Sequence, residues 1–340
     1  MFGRKGEIGI VIVLVFYLMA PLLVYNVLSA SWISNFIAFL KTENVENLEW
    51  YFSPKAISVV FAFFIYPLCL LNDLSKLSVT SFMGLGFMSY VVCLVVFDLL
   101  IGNGVGDGMR WINNPGMDIF GGFAKIMFAF NSTSSAVSLV SAMKDKSSKA
   151  RIKLTLTSSL ITTLFYLVFI VCGYFIVGEL MLIHDDILST QSRLGYQIAA
   201  IAVSCVCVFS YPIIMYPART SMDWLLSQKL NKFAFWKENQ LFRTILILNG
   251  FLCFILPIAM YASSIATLVL GFISAVFGAV LMFLLPSIFI LKIKHEIDLK
   301  VWEKVAVYFN LGLGIVVMLG GFVGQTRELY GKIESGTVFG

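Results

Sequence analysis

Long apolar stretches alternate with short polar intervals along the whole chain, and the length of those stretches sets the architecture. A hydrocarbon layer about 30 Å thick takes roughly 20 residues of helix to cross, and only helices or closed barrels keep every backbone group paired inside it. Runs as long as these are read as helices. Nine are placed: Ile8 to Ala38, Ile57 to Leu71, Ser81 to Ile101, Ile119 to Met143, Leu154 to Val177, Tyr196 to Tyr216, Leu241 to Tyr261, Ser264 to Leu291 and Val305 to Val323. The first is long enough to tilt across the bilayer. The second is short, and Pro67 with the polar NDLSK behind it predicts a helix that bends out at the interface. The fold class expected is an all-α integral membrane protein of about nine transmembrane helices.

Two spans carry polarity where lipid would reject it. In the fourth, KIMFAF runs into Asn131, Ser132, Thr133, Ser134 and Ser135, five polar residues in succession at mid-depth. Their side chains compete with helical backbone bonds, and backbone opened at this depth must be buried in protein or line a wet cavity. A break after Phe130 would expose carbonyl oxygens and amide hydrogens together, the groups that hold the ammonium and carboxylate of a zwitterion. The other reading is an unbroken helix whose hydroxyls bond back to its own carbonyls or to neighbouring helices. In the sixth span, Ser204 and Ser210 flank Val208, whose carbonyl Pro212 leaves without its usual helical donor. Pro217 and Arg219 read as a kinked helix end at the interface, with the arginine snorkelling to water. Asp98 and Asp118 fall near outer ends of spans, so no obligatory buried carboxylate relay is expected.

Composition agrees with the pattern and removes other classes. Apolar residues make up 59% of the chain and charged residues 13%, with a mean hydropathy of +0.91. Charged residues are about a quarter of a typical soluble chain, so a soluble enzyme is excluded first. The net charge of +5 comes from short basic clusters between apolar runs, not from a stripe, which argues against nucleic acid. With the amino terminus cytoplasmic, alternate loops hold seventeen Lys and Arg on that side against six on the other, with Lys125 left inside a span. A single missed crossing would scramble that bias, so nine spans is the coherent count. All six cysteines lie inside apolar runs and no disulfide framework is expected. The GNGVGDG segment has no strand before it and is read as a flexible outer turn, and Asn131-Ser132-Thr133, inside a span, is no glycosylation acceptor. His184 and His295 stand alone in opposite loops, which leaves nothing for a membrane enzyme to work with.

Four ordered motifs carry a resemblance that covers nearly the whole chain. NDLSKLSVTSFMG (Asn72 to Gly84), FAFNST with the later KDKSSKARIK, SYPIIMYPAR, and LGFISAVFGAVLMFLLPSIFILKI (Leu270 to Ile293) resemble the amino acid/auxin permease family, also called the transmembrane amino acid transporter family. The resemblance implies a five-plus-five inverted-repeat fold in which the nine spans correspond to helices three to eleven. The family's first two helices, the first of which supplies half of the amino acid and cation sites, have no counterpart. A truncated gene model, a reduced protein and a nontransporting relative are the three readings of that departure, with truncation expected. Asn131-Ser132 stands where relatives carry a polar aromatic or Cys-His, so substrate preference is not carried over.

The resemblance further implies secondary active transport of neutral amino acids by alternating access, without covalent chemistry and with no cofactor beyond a coupling ion, H+ or Na+. The expected partners are an amino acid and the lipid bilayer, in a plasma, vacuolar or lysosomal membrane. Residues 1–340 are expected to form a single multi-spanning domain, with 324–340 as a short carboxy-terminal tail. Phe130, Asn131, Ser132 and Thr133 are expected to contact substrate, and Tyr17, Tyr25 and Asn26 on the first span either line the same cavity or simply pack. Ser204 and Ser210 are candidates for cation binding or gating. The alternative function is a nontransporting amino acid sensor or a truncated inactive relative.

Overall fold

The computed structural model describes residues 3–42, 44–71, 78–102, 118–130, 140, 143, 145, 147–178, 186–190, 193–230, 239–261, 266–293 and 300–334, and among them all regular structure is helical. In chain order the helices are α1 (Gly3–Lys41), α2 (Pro54–Cys69), α3 (Ser78–Ile101), α4 (Asp118–Ala129), α5 (Ser148–Val177), the short α6 (Ile187–Thr190), α7 (Leu194–Leu230), α8 (Gln240–Tyr261), α9 (Ala266–Ile293) and α10 (Val301–Glu334). Seven of these are long and apolar enough to cross a membrane, and α2 and α4 are shorter apolar helices. Each of the nine predicted spans therefore has its helix. Boundaries shift most at carboxy ends: α7 runs on to Leu230 past the predicted Tyr216, α10 to Glu334 past the predicted Val323, and α4 ends at Ala129 where the predicted span continued to Met143.

Local chemistry fixes several ends. The Ser53 side chain accepts from the Ala56 amide with Pro54 in the first turn, so one orphan donor at the start of α2 is satisfied and the residue without an amide hydrogen sits where none is needed. Ser147 caps α5 in the same way through the Ala150 amide. At the other end of α5, Gly178 has φ +58, a left-handed conformation that a side chain would resist, and its amide turns back to the Tyr174 carbonyl. Helix α5 is exposed along most of its length despite its many Ser and Thr. Thr155, Ser158 and Thr163 donate to the carbonyls of Arg151, Thr155 and Ser159 on their own helix, which lets hydroxyls face lipid without an unpaired hydrogen.

Helices α1 and α7 pack along each other at the centre, flanked by α2, α8 and α9, while α3 and α5 extend the other side of α7. Leu18, Leu22, Tyr196, Ala199, Met215 and Leu248 belong to the core at this junction. A second group joins α4, α9 and α10: Met127, Ala279 and Val317 form its apolar centre. Large apolar side chains such as Phe63, Phe64 and Leu100 are exposed, as expected of a surface whose solvent is lipid.

Polar contacts between helices sort the two ends of the bundle as the charge count does. Arg4 donates to Gln228, and Arg243 lies 3.4 Å from Asp223, all four on the face counted as cytoplasmic. Lys41 pairs with Glu49 at 3.6 Å, Lys55 stands over the Tyr261 ring, Arg193 pairs with Asp98 at 3.2 Å, and the Trp32 indole donates to Asp186, all on the opposite face. Lys125 reaches out of its span to Glu328 on α10, with Nζ 3.1 Å from both carboxylate oxygens. Asp98 corrects one expectation: it is buried to 8% exposure, although its position at the outer end of α3 and its arginine partner make it a tie between helices and not a relay.

Candidate functional site

Helix α4 ends at Ala129 with Phe130 in a turn. Twelve residues at 1.5 Å rise give about 18 Å of helix, well short of a crossing. The Ala129 carbonyl at this end accepts a hydrogen bond from the Tyr166 hydroxyl of α5 at 3.1 Å. The Phe130 ring meets Tyr166 edge to face, with centroids 5.2 Å apart. One residue earlier on the other side, Phe128 packs at 5.8 Å against Tyr17 of α1. Tyr17 in turn lies against α9 at Gly278, where an added Cβ would stand 3.2 Å from the tyrosine ring. The end of α4 is therefore walled by aromatic rings from α1 and α5, with a tyrosine hydroxyl already on its last helical carbonyl. Asn131, Ser132 and Thr133, the centre of the predicted site, lie outside the described residues.

The other predicted residues divide. Tyr17 joins the α4 terminus through Phe128, whereas Asn26, two and a half turns along α1, is fully buried and held by α2: its amide donates to the Ser58 carbonyl at 3.4 Å and its oxygen accepts from the Ser58 hydroxyl. Tyr25 is part of the packing around the central core. Ser204 is buried and donates to the Ala200 carbonyl at 2.9 Å within α7. Ser210 instead lines a cavity of about 300 Å³ between α7 and α3, with Gly84, Met88 and Val206. The two serines are not brought to one place, and α7 runs as a single helix through Pro212 and Pro217.

Three features escaped the sequence reading. Arg219 does not snorkel: it is 5% exposed, and its two terminal nitrogens donate to the Cys69 and Leu71 carbonyls at 2.7 Å each, closing the cytoplasmic end of α2. Charged donors near a helix carboxy end satisfy carbonyls that have no helical partner, so the Pro-x-Arg sequence ties α7 to α2. Helix α9 carries two π-helical turns, Ser274–Gly278 and Val280–Leu284, a wide geometry that recurs at functional sites. Beside them Gln325 of α10 is wholly buried with neither end of its amide hydrogen-bonded, in a slot between Gly121 of α4 and Gly271 of α9. The spacing of Gly320, Gly321 and Gly324 just before Gln325 is the signal that could have marked a close helix contact there.

The family described as transmembrane amino acid transporter protein matches residues 1–326. The chain belongs to that family. Its relatives include sodium-coupled neutral amino acid transporter 4 of Pongo abelii, 29% identical over 205 residues, which is 57% of this chain and 35% of the relative. Sodium-coupled neutral amino acid symporter 2 of Danio rerio is 26% identical over 200 residues, 57% of this chain and 38% of the relative. Vacuolar amino acid transporter 5 of Schizosaccharomyces pombe is 27% identical over 169 residues, 48% and 40% respectively. The chain thus spans under half the length of the curated relatives it matches.

Membership makes this a multi-pass protein of a family of transporters and not of enzymes, in keeping with a chemistry confined to helix ends, hydroxyls and aromatic walls. At the α4 terminus Ala129 and Phe130 are themselves exposed, and it is the Tyr166 hydroxyl that covers the last helical carbonyl.

Proposed function

We propose that the chain carries neutral amino acids across a membrane by secondary active transport, with alternating access around the terminus of α4 and a proton or sodium gradient as the driving force. The observation that carries this reading is the family match across the chain together with a helix that ends at Ala129, directly before the polar run that begins at Asn131. Phe130, Asn131, Ser132 and Thr133 contact the substrate, and Tyr17 forms the wall opposite Phe130. Asn26 holds α1 to α2 behind that wall. Ser204 and Ser210 act on the cation or the gate from separate faces of α7. Relatives named for sodium coupling and for the vacuole support a carrier of the plasma, vacuolar or lysosomal membrane.

Uptake of labelled neutral amino acids into proteoliposomes tests the reading. Uptake that follows an imposed sodium or pH gradient and stops when the gradient is collapsed is the expected result. Saturable binding without flux would instead make the protein a receptor. Replacing Asn131 and Ser132 together by Leu should abolish amino acid binding while insertion into the membrane persists, and unchanged binding would remove those residues from the site.

A further inference from the structure

A polar cavity lies at the cytoplasmic ends of α7 and α8, beginning nearly two turns past Ser210 along α7. Tyr216, Arg219, Thr220 and Asp223 contribute from α7 at the three- and four-residue spacing of one helix face, and Gln240, Thr244 and Ile247 contribute from α8 in the same way. Its volume is about 130 Å³, against a share of roughly 30 Å³ per molecule in liquid water. That is room for a solute of a few heavy atoms. The larger cavities between α1, α7 and α8 and along α1 and α2, about 370 and 470 Å³, are lined almost wholly by apolar side chains and suit acyl chains. The polar cavity has the opposite character, with a guanidinium, a carboxylate, two threonine hydroxyls and a primary amide on its walls.

We propose that this cavity is a cytoplasmic binding site for a small amino acid, with Arg219 facing the carboxylate and Asp223 the ammonium. That the zwitterion is an amino acid rests on the transport reading above; that it is a zwitterion rests on the walls. Arg219 and Asp223 are four residues apart on α7, so their stems rise about 5–6 Å from one another on a single face. The α7 wall thus carries one charge of each sign on a single face, as does a solute with both charges on one carbon. A diamine would meet Arg219 with like charge in a half-enclosed space, whereas an anion without an ammonium would leave Asp223 answered by Arg243 alone. Arg219, held by two carbonyls, presents a fixed positive charge to the cavity wall, and Arg243, 3.4 Å from Asp223, holds that carboxylate in place at the rim. Arg219 is also the group that ties α7 to the end of α2 through the Cys69 and Leu71 carbonyls. A solute bound here touches the joint between those helices, so cytoplasmic amino acid would act on the movement of α2 against α7.

The test uses the full chain in lipid nanodiscs carrying Thr244→Cys or, as a second reporter, Gln240→Cys, with the unsubstituted chain as the labelling background. A charged, membrane-impermeant thiol reagent is added with and without L-alanine. Protection scales as one plus the ratio of solute to Kd, so about ten-fold slower labelling is expected near ten times Kd. L-lactate and ethylamine, each with one of the two charges, should protect far less, and Asp223→Asn should remove most of the alanine effect. Full labelling at millimolar alanine in both monodisperse reporters would overturn the proposal, as would equal protection by lactate. Uptake is measured on the same proteins. Protection without uptake leaves this site standing and sinks the transport reading, and uptake without protection does the reverse.

Discussion

The fit of Gln325 between two glycines gives a stability prediction whose size follows from geometry. An alanine at Gly271 would place its Cβ inside contact distance of the Gln325 Oε1 and Cδ and 2.8 Å from Nε2, and one at Gly121 would stand 2.9 Å from Nε2. An amide on a flexible side chain would ordinarily move aside. Here it is wholly buried, and retreat from α9 drives it into α4. The added methyl therefore overpacks the junction, at a cost of about 1–3 kcal/mol. That corresponds to roughly a 5- to 150-fold fall in the folded ratio. Detergent-induced unfolding of the purified chain measures it, and a double-mutant cycle assigns it: in a Gln325→Ala background the methyl has space, so Gly271→Ala should cost at least about 1 kcal/mol less. Wild-type stability for Gly271→Ala, or the same loss in both backgrounds, would refute the argument that Gln325 is what the glycine accommodates.

Arg219→Lys keeps the charge but cannot span two carbonyls with a planar fork, and loss of one charge-assisted bond at the end of α2 should lower stability by about 1.5–3 kcal/mol in the same unfolding assay. Ser58→Ala removes the hydroxyl that Asn26 accepts from and leaves a fully buried amide oxygen without it; a loss of about 1–3 kcal/mol is expected, shrinking when Asn26 is replaced by Leu in the same chain. Cysteines placed at Gln228 and at Tyr261 should label from opposite sides of the membrane, since Gln228 meets Arg4 and Tyr261 meets Lys55; labelling of both from one side would overturn the assigned orientation.

The fold was legible because it rests on two one-dimensional signals, the length of each apolar run and the side on which the lysines and arginines fall. Neither needs knowledge of what packs against what. The pairs Arg193–Asp98 and Arg243–Asp223 then follow from the count, because charges sorted to one face find partners on it. Helix ends were less legible: α10 continues through Gln325 to Glu334, since Gln325 is buried against glycines and Glu328 is met by Lys125, two partners far away in sequence. A polar residue in a run marks an end only when nothing covers it.

The same distinction explains the site. A run of polar residues at membrane depth can be read, and the helix does end before Asn131, but the sequence says nothing of which neighbour takes the freed carbonyl, and here it is Tyr166 from the next helix. The partners of single polar residues were the least legible. Ser204 is satisfied by its own helix, Asn26 by Ser58, and Arg219 by the end of α2, so three groups with similar prospects in the sequence became a back-bonded hydroxyl, a strut and a clasp. In lipid an unpaired polar group is costly, so such a residue usually takes a partner and its role becomes a property of that neighbour, with Gln325 an exception. The cavity at the ends of α7 and α8 is where that reasoning turns outward, because the polar walls gathered there face space that a solute can fill.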